Sequence, residues 1–113
     1  MLKRDNRISR NKDFDRVFKT GQSFYGRVLG IKATLNGLDY NRFGILISTK
    51  VSKKAVVRNL YKRQLRAIIR QELLSLKTGY DVVLIVFPLI LEKKYSELAE
   101  LLPTGFKRLN LYK

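Results

Sequence analysis

The run Tyr80-Asp81-Val82-Val83-Leu84-Ile85-Val86-Phe87, closed by Pro88, decides the fold. It is apolar without alternation and too short to span a bilayer, which predicts a strand covered on both faces and central in its sheet. On its N-terminal side Lys77-Thr78-Gly79 closes a segment of a different period. From Val56 to Gln71 the spacing is helical: at 100° per residue Arg58, Asn59, Lys62, Arg63, Arg66 and Arg70 share an arc of roughly 140°. Val57, Leu60, Tyr61, Leu65 and Ile68 take the opposite side, so one face is for a core and the other is cationic. Beyond Pro88 a last helix is expected from near Tyr95, carrying Leu98, Leu101 and Leu102. Pro103-Thr104-Gly105 should interrupt it, with Phe106 and Leu109 resuming a short turn.

Upstream, Leu29, Ile31, Ala33 and Leu35 alternate with Val28, Gly30, Lys32 and Thr34, as a strand requires. Asn36-Gly37 is a strong turn signal, and Phe43, Ile45 and Ile47 alternate on the return, predicting an antiparallel hairpin. A first helix is expected from Asn11, acting as its cap, with Phe14, Val17 and Phe18 at i, i+3 and i+4. Thr20-Gly21 should end it, the glycine in a left-handed conformation. Residues 1–10, with Lys3, Arg4, Arg7 and Arg10, read as a flexible basic arm. The order α-β-β-α-β-α, with no repeat or linker, predicts a single α+β domain over residues 1–113: a two-layer sandwich of one mixed sheet with helices packed on it.

Lys and Arg number 24 against 9 Asp and Glu, a net charge of +15 in 113 residues, so a polyanion is the expected partner. With 45% apolar residues the charge belongs to a folded domain and not to a disordered tail. The chain has no Cys and no His, which excludes thiolate nucleophiles, imidazole bases and His or Cys zinc sites. Asp13, Asp15, Glu97 and Glu100 read as structural acids, and no metal is expected on the protein itself. Met1-Leu2-Lys3-Arg4-Asp5-Asn6-Arg7 lacks a signal peptide's apolar stretch, so the expected location is the cytoplasm, with no membrane partner.

The cationic face goes beyond what solubility asks. Arg58, Lys62, Arg66 and Arg70 place like charges at successive i,i+4 positions with no intervening acid, which costs a few tenths of a kcal/mol per pair. The stripe is about 18 Å long, enough to follow several phosphates.

The run Ala55-Val56-Val57-Arg58-Asn59-Leu60-Tyr61-Lys62-Arg63-Gln64-Leu65-Arg66 closely resembles the basic-helix signature A-V-x-R-N-x-x-K-R-x-x-R of the bacterial ribonuclease P protein component. Ser48-Thr49-Lys50, Lys53-Lys54, Phe14-x-x-Val17-Phe18-x-x-Gly21 and the apolar strand before the last helix stand in that family's order, so the resemblance covers nearly the whole chain. It implies a subunit of an endoribonuclease that removes the 5′ leader of precursor tRNA, the hydrolysis being done by a catalytic RNA subunit with Mg2+ held mainly by that RNA. The protein alone would then be inactive, with no catalytic residue, no cofactor of its own and no protein partner evident.

By the same resemblance Arg58, Asn59, Lys62, Arg63 and Arg66 contact the RNA subunit, with Lys53, Lys54 and Arg70 extending the face. Leu60 stands where many relatives have a further basic residue. Phe14 and Phe18 match the aromatic positions of a leader cleft, with Arg27 and Lys32 as phosphate contacts; Lys32 stands near a position often aromatic in the family. The spacing of the two phenylalanines fits a core role equally well. The family fold further implies a left-handed βαβ crossover, against the usual hand. A ribosomal or other structural RNA-binding protein remains the alternative, distinguished by which RNA co-purifies. A DNA-reading helix is disfavoured because its exposed face is nearly all Lys and Arg.

Overall fold

The computed structural model describes residues 2–113. Its regular elements are α1 (Asn11–Thr20), β1 (Gln22–Tyr25), β2 (Leu29–Leu35), β3 (Arg42–Leu46), α2 (Ala55–Glu72), β4 (Tyr80–Val86) and α3 (Tyr95–Arg108). The four strands form one mixed sheet in the order β1-β2-β4-β3. β2 runs antiparallel to β1 and β4, whereas β3 is parallel to β4. As its apolar run demands, β4 is interior, pairing Leu84 with Ile31 on one side and Ile45 on the other.

Alternation then sorts the side chains. Leu29, Ile31 and Ala33 of β2, Phe43 of β3 and Val82, Leu84 and Val86 of β4 are buried in one core with Leu65, Ile68 and Ile69 of α2 and Leu98, Leu102 and Phe106 of α3. Each of the larger side chains contributes about 1.5–3 kcal/mol by leaving water. On the opposite face Val83 packs with Val17 of α1 and with Ile8, flanked by Phe14 and Ile85. The sandwich is therefore sheet against α2 and α3, with α1 lying over part of the other face.

Four expectations are corrected. The first concerns the hairpin: β2 and β3 do not pair, because β4 lies between them. An apolar strand at a sheet edge would leave one row of backbone groups unpaired, and insertion satisfies both rows. Asn36-Gly37 does turn the chain, with Gly37 at φ 74°. The Asn36 side chain accepts from Leu38 N–H (2.8 Å) and donates to Asp81 Oδ1 (3.0 Å), so the turn is anchored to the start of β4. The true hairpin joins β2 to β1, a short and largely exposed strand that the alternation did not reveal.

At the ends of α1 the N-cap is Arg10 and not Asn11, without a side-chain cap bond, and Gly21 is extended (φ −75°), not left-handed. Glycine is needed at that position because a Cβ would stand 2.5 Å from the Val17 carbonyl oxygen and 3.2 Å from that of Ala33.

Next, α3 runs unbroken through Pro103. The proline removes the hydrogen bond to the Ala99 carbonyl, but the buried positions on either side hold the helix to the sheet. Gly105 is a packing residue, since a Cβ there would collide with Ile31 Cδ1 and press on the Phe24 ring.

Finally, over residues 2–10 the expected flexible arm is a docked segment; Met1 lies outside the described residues. Leu2 and Ile8 are buried, Ile8 N–H donates to the Phe43 carbonyl (2.9 Å) and Asn6 Nδ2 donates to the Asn41 carbonyl (2.7 Å). Two apolar anchors thus clamp a cationic strip to the free edge of β3. Leu2 joins the α2–α3 core and Ile8 the α1 side, so the strip wraps that edge from one face to the other.

Candidate nucleic-acid interface

The buried residues of α2, Leu65, Ile68 and Ile69, all lie in its C-terminal half. Its first turns stand off the sheet, leaving Val56 exposed and Leu60, expected in the core, 42% exposed. Lys53, Lys54, Asn59, Arg63 and Arg70 are exposed and Arg58, Lys62 and Arg66 half-buried. Arg58 Nη1 donates to the Ser52 carbonyl (2.8 Å), fixing the loop that leads in, while buried Val51 pins the same loop to the core.

None of these cations is neutralised. The ion pairs among the described residues involve Arg16, Arg42 and Lys93, not α2. No acid occupies the first turn of α2, where the helix dipole favours one, and Lys53, Lys54 and Arg58 gather there instead. Burial, and then the neighbouring Arg7, pull the Arg66 guanidinium below its ordinary value. Cations so placed raise the energy of the free protein and lower it when phosphates arrive.

On the other face of the sheet, α1 lies against β2 and β4. Phe14 and Phe18, which the sequence left undivided, separate here. Phe14 lies against Gly44, where any Cβ would strike its ring, and belongs to the smaller core. Phe18 is 39% exposed, with Lys32 Nζ 5.8 Å from its ring centroid. Arg27 does not join them: it is in the β1–β2 turn and lines a groove on the α3 side with Phe24, Lys93 and Leu101.

Two features were missed by sequence reasoning. Tyr25 pairs across from Gly30, its ring lying where a Gly30 Cβ would be, and adds an exposed aromatic to the face that carries Lys32. An aromatic in register with a glycine was the signal, but it needed the β1–β2 pairing to be seen.

The second feature is the acid set into the apolar run. Asp81 is fully buried and accepts from Arg42 Nε (2.8 Å) and Nη2 (2.6 Å), Arg16 Nη2 (2.5 Å) and Asn36 Nδ2 (3.0 Å). These bonds raise the Arg42 pKa, the hydrogen bond to Asp81 being the largest cause. Arg16 also donates to the Leu35 carbonyl (2.7 Å), so the network bolts α1 to the ends of β2 and β4.

The family model for ribonuclease P matches residues 2–110. The ribonuclease P protein component of Pseudanabaena sp. (strain PCC 6903) is 43% identical over 101 residues, covering 88% of this chain and 87% of that protein. The Thermotoga maritima RNase P protein superposes with a TM-score of 0.80 at 30% identity over 89% of this chain and 96% of its own. The Staphylococcus aureus RNase P protein gives 0.88 at 26% identity over 96% and 98%.

Proposed function

The chain belongs to the ribonuclease P family as a protein component of the bacterial type, and on that premise we propose that it serves an RNA-based endoribonuclease through two surfaces. Lys53, Lys54, Arg58, Asn59, Lys62, Arg63, Arg66 and Arg70 bind the catalytic RNA subunit. The surface of Phe18, Lys32 and Tyr25, a cleft in this reading, receives the single-stranded 5′ leader of precursor tRNA. The observation that carries the reading is the cationic face of α2, none of whose charges is met by an acid among the described residues. Arg27 faces away from that cleft and would meet RNA only at its margin.

Magnesium, the metal this chemistry calls for, would sit on the RNA. Among the described residues no cluster of acids could hold it, and several acids are already engaged: Asp81 is saturated by four donors, Asp13 faces Arg42, Glu72 accepts from the Tyr112 hydroxyl and Glu97 from Lys94 N–H. The protein would therefore position RNA and screen its charge without supplying a nucleophile or a base. No helix among the described residues is long and apolar enough to cross a membrane, in keeping with work in the cytoplasm.

Reconstitution tests the reading. Added to the naked RNA subunit at low magnesium, the protein should restore leader removal, and alone with magnesium it should leave precursor tRNA intact. Cleavage by the RNA-free protein would refute it.

A further inference from the structure

A second cationic site lies outside both surfaces. Where the N-terminal strip crosses the edge of β3, an open pocket of about 420 Å³ is lined by Arg4, Arg7, Arg10 and Arg42 against two acids, Asp5 and Asp13, with Tyr40 at its side. It is firmly built. Arg42 is held by Asp81 and Asp13, and the strip is fixed by the Ile8 and Asn6 backbone-directed bonds. Asn41 braces the floor, donating to the Lys77 carbonyl (2.6 Å) and accepting from Tyr80 N–H (2.8 Å).

Three of the pocket's four arginines lack an acidic partner. Arg4, Arg7 and Arg10 form no ion pair among the described residues. Arg7 spends one nitrogen on the Leu2 carbonyl (2.9 Å), while its Nε is buried with no hydrogen-bond partner. A buried guanidinium N–H without an acceptor is costly to the free protein. The pocket also sits where α1 begins without a side-chain cap, so the helix dipole adds to the attraction.

Its volume suits one nucleotide and not a folded helix. Tyr40, 38% exposed, offers a flat wall for a base. On its far side Arg7 donates to the carbonyl of Leu2, which is buried in the core with Leu65, Ile68 and Ile69 of α2, so the pocket lies on the side of the sheet edge that leads to α2.

We propose that this pocket seats one nucleotide of an RNA strand, its phosphate against Arg4, Arg7 and Arg10 and its base against Tyr40, continuing the α2 track around the β3 edge towards α1. The proposal rests on the reading of α2 as an RNA-binding face. The strand is either part of the RNA subunit or part of the precursor tRNA; the chemistry is the same.

The test uses Arg4→Gln/Arg10→Gln, whose side chains make no hydrogen bond among the described residues, and Tyr40→Leu, each first shown to melt as the parent does. Affinity for the RNA subunit, and of the reconstituted holoenzyme for leader-bearing precursor tRNA, is measured by anisotropy across a KCl series. The double variant should flatten log affinity against log salt by about two. Tyr40→Leu should weaken binding about fivefold or more with the slope retained. A change confined to the RNA subunit assigns the strand to it, and one confined to the precursor assigns it there; either supports the site. If both slopes are unchanged while Arg63→Ala/Arg66→Ala flattens its own, the pocket is refuted and the α2 reading stands. If the α2 variant is also without effect, both fall.

Discussion

Phe18→Ala removes a ring that is 39% exposed, and its consequences for stability and for RNA binding can be worked separately. A fully buried Phe→Ala costs about 3–5 kcal/mol of folding. With more than a third of Phe18 in solvent, the loss should be about 1–2 kcal/mol, since less apolar area returns to water. If the exposed part stacks on a leader base, affinity for leader-bearing precursor should fall by about 1–3 kcal/mol, or about 5- to 150-fold, with mature tRNA hardly affected. Phe14→Ala should behave in the opposite way, because its ring is seated over Gly44: a stability loss near 3 kcal/mol and little preference between the two RNAs. The assay is a melting curve beside both affinities, per folded molecule. Equal losses for the two RNAs with Phe18→Ala, or a folding cost as large as that of Phe14→Ala, would refute the assignment of Phe18 to the cleft.

Three further outcomes follow from the packing. Asp81→Asn strips the carboxylate charge from beside Arg42 and Arg16 and should cost about 3 kcal/mol, with amide exchange in α1 rising most; an unchanged melting temperature would contradict the network's role. Gly105→Ala forces α3 away from Ile31 and Phe24 and should destabilise by about 1–3 kcal/mol, whereas an ordinary helix glycine would gain stability from the same change. The Glu97 carboxylate is held below its ordinary value of 4.5, first by Lys94 N–H and then by neighbouring lysines. Its folded pKa being depressed, its contribution is present above pH 4.5 and lost as pH falls through the folded value. In acid titrations Glu97→Gln should therefore show a shallower loss of stability than the parent, and parallel curves would contradict this.

Much of the fold could be read locally. The apolar run of β4 implied an interior strand despite Asp81 within it, and the one-sided charge of α2 marked its candidate RNA face, although Leu60, placed on the core side, is exposed. What failed depended on contacts distant in sequence. Asn36-Gly37 specifies a turn but not the partner of the strands around it, so the insertion of β4 was hidden. Pro103-Thr104-Gly105 has the composition of a break, and only the Ile31 side chain on the facing sheet shows Gly105 to be a packing requirement. Leu2 and Ile8 carry no period among the cations that surround them, and their burial depends on the edge of β3. The site divides in the same way. Arg58 to Arg70 lie on one helix and were legible, whereas Tyr25, Asp81, Arg42 and the arginine pocket are assembled by sheet register.

The most direct test of the central claim is the salt dependence of RNA-subunit binding by Arg63→Ala/Arg66→Ala. Arg63 is exposed, and Arg66 is a charge disfavoured first by partial burial and then by Arg7, so the melting temperature should hold or rise slightly. The slope of log affinity against log salt should flatten by up to about two, each lost phosphate contact accounting for roughly one counterion, and affinity should fall with it. An unchanged slope with unchanged affinity would remove this face of α2 as the RNA-binding surface.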